Sequence, residues 1–534
     1  MSTIASLQLF SISFRTKAEF KKNNMDKDVL ISKAYNKINE IDLYDLESFE
    51  NDFYFVNSSD GGAAKLYVYL PREHTHRNDI VKVIYNKLNG AWCQLDYHFT
   101  LEDFGAIPDG KTECSRAVSI ALNSGLVIKQ DKHGAYLLND SIMIKHVGLD
   151  FKGFGQGSTV FLLDHYQHGL VYDEPFFKSA KKAVNLSNFT IKRLNSKSYN
   201  SRSGPKGLYV SNGGPVAIIN IEECYGMGYG IHIDFSTDVI INKCYIHNHK
   251  NDMGGDAGTD GIHIYRSQKV LVSNNIIHDI GDDAISAGSF DSNHLAKDIS
   301  IKNNYIINTK SGIKTYSFAE NIEVLNNRVV NSRESGVYIT DDANSIDGAS
   351  ISNVRVLKNV FIAIGVSSKS DEAGALRIRF WPNEKTHSDI KNISFDENEV
   401  INCKTGVSVL TYNERKKITN LALTGNTFAT YKDLNHPSSN TMFLPYILRF
   451  VQCYGDLRIT GNIFKTNLPY LIKFDLSKQV RTGSRFKARF YFSKNIIAID
   501  RGSKLDEYLI NASLLSSPVI GVNKFIPSKL NTQN

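Results

Sequence analysis

Cysteine is scarce, with six residues in a chain of 534. That density excludes a small disulfide-stapled scaffold. The six are read as reduced, with Cys224 and Cys244 as small core residues. No run approaches the ~20 uncharged apolar residues of a membrane-spanning helix, so no membrane insertion is expected. Neither charge sign dominates: the net charge is only +7, which is compatible with an acidic ligand without indicating one. The opening stretch MSTIASLQLFSISFR has no lysine-rich head, continuous apolar run or cleavage pattern, and is read as carrying no secretion signal. A nucleotide-binding glycine loop, a Ser–His nucleophile motif and a nucleic-acid module are all missing, and no cofactor is expected. His247, His249, Asp252 and Asp256 crowd one segment, but no spacing among them defines a coordination shell. No metal is expected there.

The chain does have aromatic and β-forming residues in number. With 42% apolar residues, 26 Tyr and 29 Phe it can bury a large core, and disorder is excluded. It also holds 49 Asn. Asn disfavours helix and strand interiors and tolerates left-handed backbone. Short strands broken by tight turns are the expected result.

A repeat emerges after residue 210. Its unit is a short strand, an Asn-containing corner, a second short strand and a Gly-led third strand. Examples are KVLVSNNIIHDI (269–280), DISIKNNYIINT (298–309), NIEVLNNRVVNS (321–332) and DLRITGNIFKTN (456–467). Alignment puts Asn275, Asn304, Asn327, Asn359, Asn398, Asn426, Asn462 and Asn495 in one column, and assigns Cys224 and Cys244 to the same column in earlier coils. The shortest separation, 23 residues, matches the ~20–25 that three strands and three corners need. Alternation within strands sends one set of side chains inward and the other outward. A leucine-rich repeat would need a Leu pattern that is absent. The fold predicted is all-β: a right-handed parallel β-helix, a solenoid of three-strand coils stacked through its Asn corners.

The segment LEDFGAIPDGKTECSRAVSIALNSG (101–125) resembles the motif that opens the pectate-lyase-like β-helix superfamily. That resemblance implies an N-terminal capping helix carrying Ala117, Ile120, Ala121 and Leu122. Residues 1–100 lack the repeat and are read as a separate attachment or oligomerisation domain, with a charged, helical piece from Lys17 to Glu40 and a β-rich piece around FYFVNSS and KLYVYL. The β-helix is placed at 101–500. Past residue 500 the repeat is read as decaying, and 501–534 as an apolar cap or inter-subunit segment.

The Gly- or Ala-led third strands are GIHID (230–234), GIHIY (261–265), AISAG (284–288), GIKTY (312–316), GVYIT (336–340) and GVSVL (406–410), with ALRIRF (375–380) in the same place. Stacking them predicts one outward column of His232, His263, Ser286, Lys314, Tyr338, Arg377 and Ser408. Beside it runs a second, of Asp234, Tyr265, Gly288, Tyr316, Thr340 and Arg379. Aromatic rings and cations in register suit a polysaccharide, whose sugar faces stack on rings and whose carboxylates pair with Arg or Lys. Trp381 adds a further platform. An ordinary polar sheet face remains the alternative.

GTDG (258–261) leads one coil and GDDA (281–284) the next, so Asp260 and Asp283 should be vertical neighbours with Asp282 alongside. Mutual repulsion can raise one pKa and keep a proton for general-acid work, and a gap admitting water between acid and base gives inversion. Here the chain resembles the polygalacturonase family of inverting glycoside hydrolases, whose strip reads Asn-Thr-Asp-Gly, Gly-Asp-Asp and Arg-Ile-Lys. The matches are Thr259-Asp260-Gly261, Gly281-Asp282-Asp283 and Ile313-Lys314. The resemblance implies that Asp283 is the acid and that Asp260 and Asp282 position water. His263 stands in place of the family's second aspartate and Gly312 in place of its arginine.

The whole arrangement resembles a bacteriophage tailspike. That likeness implies a homotrimer in the virion, attached to the phage tail or baseplate by its N-terminal domain and acting extracellularly on a bacterial capsular or O-antigen polysaccharide. Hydrolysis of internal glycosidic bonds is the activity expected. A lyase or uronate epimerase on the same scaffold stays open, with Arg377, Arg379, Asp371 and Glu372 in view, as does a non-catalytic glycan-binding spike.

Overall fold

The structure, a computed structural model, describes residues 38–39, 53–57, 63–71, 80–85, 90–95, 98–145, 148–173, 182–194, 204–249, 258–342, 347–383, 385–411, 415–430, 444–451, 454–468, 470–475, 487–500 and 518–528. It is a right-handed parallel β-helix, preceded in the chain by a small separate sheet. The chain divides into two compact units. One comprises Met1–His165, Leu170–Thr190 and Asn212–Ala217; the other comprises Tyr166–Gly169, Ile191–Ser211 and Ile218–Asn534.

In the first unit Phe53–Asn57, Lys65–Pro71, Gly90–Leu95 and Ile80–Tyr85 pair antiparallel, with Ile38–Asn39 parallel at one edge. Alternation in these strands buries Val56, Tyr67 and Tyr69 around a fully buried Trp92. Of the helix expected from Lys17 to Glu40, only Ile38 and Asn39 lie among the described residues, and they are extended. The helix Ser115–Asn123 forms as expected. Val118, Ala121 and Leu122 are its buried apolar residues, whereas Ala117 and Ile120 are half-buried. Beyond it, Thr159–Leu163 lies parallel to Gly134–Leu138, and Leu170–Asp173 to Ile142–Ile144.

In the second unit the coils stack in parallel register, and asparagine holds the corners. Nδ2 of Asn275, Asn304, Asn327, Asn359, Asn398, Asn426 and Asn462 each donates to Oδ1 of the next Asn in the column at 2.9–3.1 Å. Each Oδ1 also accepts the backbone N–H of the residue before it in the ladder. These are buried groups, so each bond removes a desolvation cost of ~1–3 kcal/mol. The residue preceding each ladder Asn has positive φ: 57° at Asn274, 57° at Asn303, 54° at Asn326 and 69° at Gly425. A second, exposed ladder runs Asn420→Asn392→Asn353→Asn321→Asp298, again at left-handed residues. The large Asn content follows from these corners.

Two expectations change. Cys244 does head the buried column, its N–H donating to Asn275 Oδ1 at 2.8 Å. Cys224 does not belong to it: it aligns with His247, three residues further on. The ladder also continues past residue 500. Asn495 bonds Asn523, and Lys524–Ser528 pairs with Ile496–Asp500. Inside, Phe361, Phe395, Phe428, Phe464 and Phe492 stack with centroids 5.2–6.4 Å apart.

Candidate active site

The third strands fall into the predicted register. His232 pairs with His263, His263 with Ser286, Ser286 with Lys314, Lys314 with Tyr338, Tyr338 with Arg377 and Arg377 with Ser408. Tyr209 extends the column before His232, and Arg449 after Ser408. The glycines that lead these strands are sterically required. A Cβ on Gly261 would stand 2.6 Å from the Ala284 carbonyl oxygen, and one on Gly312 2.5 Å from that of Gly336. An arginine at 312, as in the polygalacturonase strip, is therefore excluded by the next coil. Lys310, two residues earlier, supplies a cation instead, with Nζ 2.9 Å from Asp282 Oδ1.

Asp260, Asp282, Asp283, His232, His263, Tyr265, Lys314, Tyr316, Tyr338, Arg377, Arg379 and Trp381 all line one cleft of about 1050 Å³. The acids are sheltered within it: Asp260 and Asp283 are only 3% and 2% exposed. Oxygens of Asp260, Asp282 and Asp283 lie within 4.8 Å of one another. That is tighter than the ~6.5–9.5 Å usual between an inverting acid and base. A water bonded to two of these oxygens at ~2.8 Å each still spans the distance.

Burial pushes the carboxyls of Asp260 and Asp283 well above the ordinary carboxylate range, and the neighbouring acids push the same way while Lys314 opposes them. Lys314 Nζ sits 3.3 Å from Asp283 Oδ2 and 2.8 Å from Asp342 Oδ2. Burial opposes its charge, but these carboxylates outweigh the cost and hold its pKa well above that of a free lysine. Two ammoniums, one of them shared with Asp342, thus face three carboxylates, and a retained proton relieves the excess.

Several expected ligand contacts are already occupied. His263 Nδ1 is 2.7 Å from Asp260 Oδ2 and its Nε2 is 3.0 Å from the Tyr316 hydroxyl. Its ring stacks on Tyr229 at 4.1 Å. Burial, reinforced by Lys314, pushes this imidazole down to about 3, so it is neutral and fixes Asp260 in place. Arg377, expected to pair with a ligand carboxylate, instead bonds Glu334 at 2.8 Å and Glu372 at 2.7 Å and is nearly sealed. Asp234, in the second column, is held by Arg266. Arg379 lies 3.4 Å from Glu372 and over the Trp381 ring. The open aromatic surface consists of Tyr265, Trp381 and Phe290. Phe290, which the sequence reading missed, is 45% exposed. Lys206, Tyr229, Lys310, Glu334 and Asp342 were missed as well. They sit beside the third strands rather than in their repeating columns.

The metal-like spacing among described residues occurs twice, at Asp260, Asp282 and Asp283 and at Glu222, Cys224 and His247. In the first, Lys310 and Lys314 already sit against Asp282 and Asp283. In the second, burial raises the Cys224 thiol to about 12, and Glu223 and Glu222 push the same way. Asp252 and Asp256 lie outside the described residues.

A family described as a right handed beta helix region matches residues 179–361. No curated protein matches the chain. Among solved structures, it is similar to the family 28 exopolygalacturonase of Yersinia enterocolitica: 14% identity, 91% of this chain and 92% of that one covered, TM-score 0.49. The catalytic unit of a thermostable GH87 alpha-1,3-glucanase from Streptomyces thermodiastaticus shares 15% identity over 71% of this chain and 73% of that one, with TM-score 0.46. The pre-mature gene product 12 of bacteriophage phi29 shares 14% over 76% and 62%, with TM-score 0.42. Likeness at this level concerns the fold alone.

Proposed function

We propose that this chain is a polysaccharide depolymerase of tailspike type, hydrolysing internal glycosidic bonds of a bacterial capsular or O-antigen polysaccharide. The observation carrying the reading is the buried carboxylate cluster, with oxygens within 4.8 Å, in a cleft that also offers aromatic surface and cations. Asp283 donates its retained proton to the glycosidic oxygen as that bond to the anomeric carbon breaks. Asp260, fixed by His263, and Asp282, paired with Lys310, orient the attacking water and take up its proton. Tyr265, Phe290 and Trp381 give sugar rings a stacking surface.

In this reading residues 1–100 attach the protein to a phage tail, 101–500 form the catalytic solenoid, and 501–534 contribute a cap or subunit contact in a homotrimer. The exposure of Val519, Ile520, Val522 and Phe525 supports such a contact. A metal-assisted lyase is the second reading, favoured by the ligand-like spacing of the three acids and opposed by the two lysines upon them. Purified protein incubated with a panel of capsular polysaccharides tests the proposal. Shortened chains with new reducing ends support hydrolysis, ultraviolet-absorbing unsaturated ends indicate a lyase, and retention without shortening indicates a receptor spike.

A further inference from the structure

One end of the cleft is built differently from its centre. Around the carboxylates each cation has an acid: Lys310 has Asp282, Lys314 has Asp283 and Asp342, and Arg377 has Glu334 and Glu372. Lys206 also lines the cleft, but among the described residues no carboxylate oxygen lies within ion-pair distance of its Nζ. Its ammonium rests instead over two aromatic faces, 5.4 Å from the Tyr209 centroid and 5.6 Å from that of Tyr229.

His232 lies between them, its ring 4.9 Å from Tyr209 and 5.2 Å from Tyr229. It is only 7% exposed, and neither Nδ1 nor Nε2 has a hydrogen-bond partner. A buried imidazole with both nitrogens unsatisfied is unfavourable until something bonds it. Burial lowers the Lys206 pKa while the Asp234 carboxylate opposes it, and burial, with the nearby His263 and Lys206, depresses that of His232. The pocket presents a lysine without a carboxylate at ion-pair distance and an imidazole whose two nitrogens can donate and accept.

We propose that Lys206, His232 and Tyr229 form a subsite for an anionic sugar residue, with Lys206 pairing the anion and His232 bonding a ring hydroxyl. The assignment rests on the depolymerase reading and narrows its substrate class to acidic polysaccharides. The anion replaces the missing carboxylate at Lys206, and the sugar hydroxyl satisfies nitrogens that the fold leaves orphaned. The Tyr229 ring that carries the Lys206 ammonium also stacks on His263, which bonds Asp260, and this joins recognition to the carboxylate cluster. A carboxylate and a sulfate ester present the same chemistry to Lys206.

Saturation-transfer NMR on the full-length protein, with D-glucuronate, D-galacturonate, glucose 6-sulfate, glucose and galactose as probes, tests the subsite. At least one anionic sugar should bind about tenfold or more tighter than its neutral parent, as expected for a charge-assisted contact. A uronate preference identifies the anion as carboxylate, and a glucose 6-sulfate preference identifies it as sulfate. Lys206→Met should abolish the preference and Lys206→Arg should keep it. Equal affinity for charged and neutral sugars, no binding of any anionic probe, or a preference surviving Lys206→Met overturns the proposal. Asp283→Asn should bind the probes as the wild type does. Loss of polymer cleavage and loss of this binding are therefore separate results, and failure of one reading is told apart from failure of the other.

Discussion

His263 bridges Asp260 and Tyr316: its Nδ1 is 2.7 Å from the carboxylate and its Nε2 3.0 Å from the hydroxyl. A neutral imidazole thereby ties an acid on one coil to a tyrosine that lies two registered strands further along the stack. If this bridge positions Asp260, Tyr316→Phe should lower kcat several-fold with KM little changed. His263→Phe should lower it by about 10²-fold. The kcat-against-KM split for both variants checks this; a rise in KM alone would assign His263 to ligand binding instead.

The retained proton makes activity pH-dependent in a stated direction. In the proposed mechanism Asp283 acts in its protonated form, and its raised pKa would keep the basic limb of the profile well above the ordinary carboxylate range. Lys314 opposes that rise, so Lys314→Met should move the basic limb to still higher pH while reducing the rate. The stability consequence has the opposite appeal. Raised folded-state pKa values for Asp260 and Asp283 contribute stability at acid pH, and that contribution is lost as pH rises from the carboxylate range through the folded values. Asp283→Asn should therefore unfold at higher temperature than wild type at pH 8, with a smaller difference at pH 4. Thermal unfolding at the two pH values reads this directly.

Chelation separates the hydrolase from its metal-assisted alternative. With Lys310 and Lys314 seated on Asp282 and Asp283, EDTA followed by gel filtration should leave the rate of chain shortening unchanged. A loss restored by added Ca²⁺ would assign the three acids to a metal instead.

The two asparagine ladders should differ in energetic weight. Asn327 accepts from the Asn304 N–H and Nδ2 and donates to Ile301 O and Asn359 Oδ1, all buried. Asn327→Ala removes all four of these bonds, although Asn304 Nδ2 keeps Val272 O and Asn359 Oδ1 keeps the residue-327 N–H, and should cost ~3–5 kcal/mol. Asn392, in the exposed ladder, bonds Asn353 with water at hand. Asn392→Ala should cost about 1–2 kcal/mol, largely from its φ of 57°, and Asn392→Gly less. Denaturant unfolding of the three variants measures the contrast.

Much of this was legible because a solenoid converts spacing into contact. Period-two alternation and a repeated corner were enough to place His232, His263, Ser286, Lys314, Tyr338, Arg377 and Ser408 in one register and to bring Asp260 beside Asp283. Cys224 was misplaced because the coil's Asn, Asn220, stands at the left-handed residue just before the column and Ile221, not Asn or Cys224, is level with Cys244. The exposed ladder escaped notice because Asp298 and Asp238 share its left-handed corner with Asn. What spacing cannot convey is which charges meet. Glu334 reaches Arg377 across 43 residues, and Asp342 reaches Lys314 from just past a strand end. Lys206 precedes the strand Leu208–Ser211, one coil before the first of the aligned strings. An isolated reading of the columns therefore counted Arg377 as available to ligand when two carboxylates already held it.

In the proposed mechanism Asp283 is the proton donor to the scissile bond. Reducing-end release should be measured for wild type and Asp283→Asn on a polysaccharide that the wild type shortens, alongside binding of the intact polymer. The predicted result is a fall of about 10²–10⁴-fold in release with binding retained; release at the wild-type rate would contradict it.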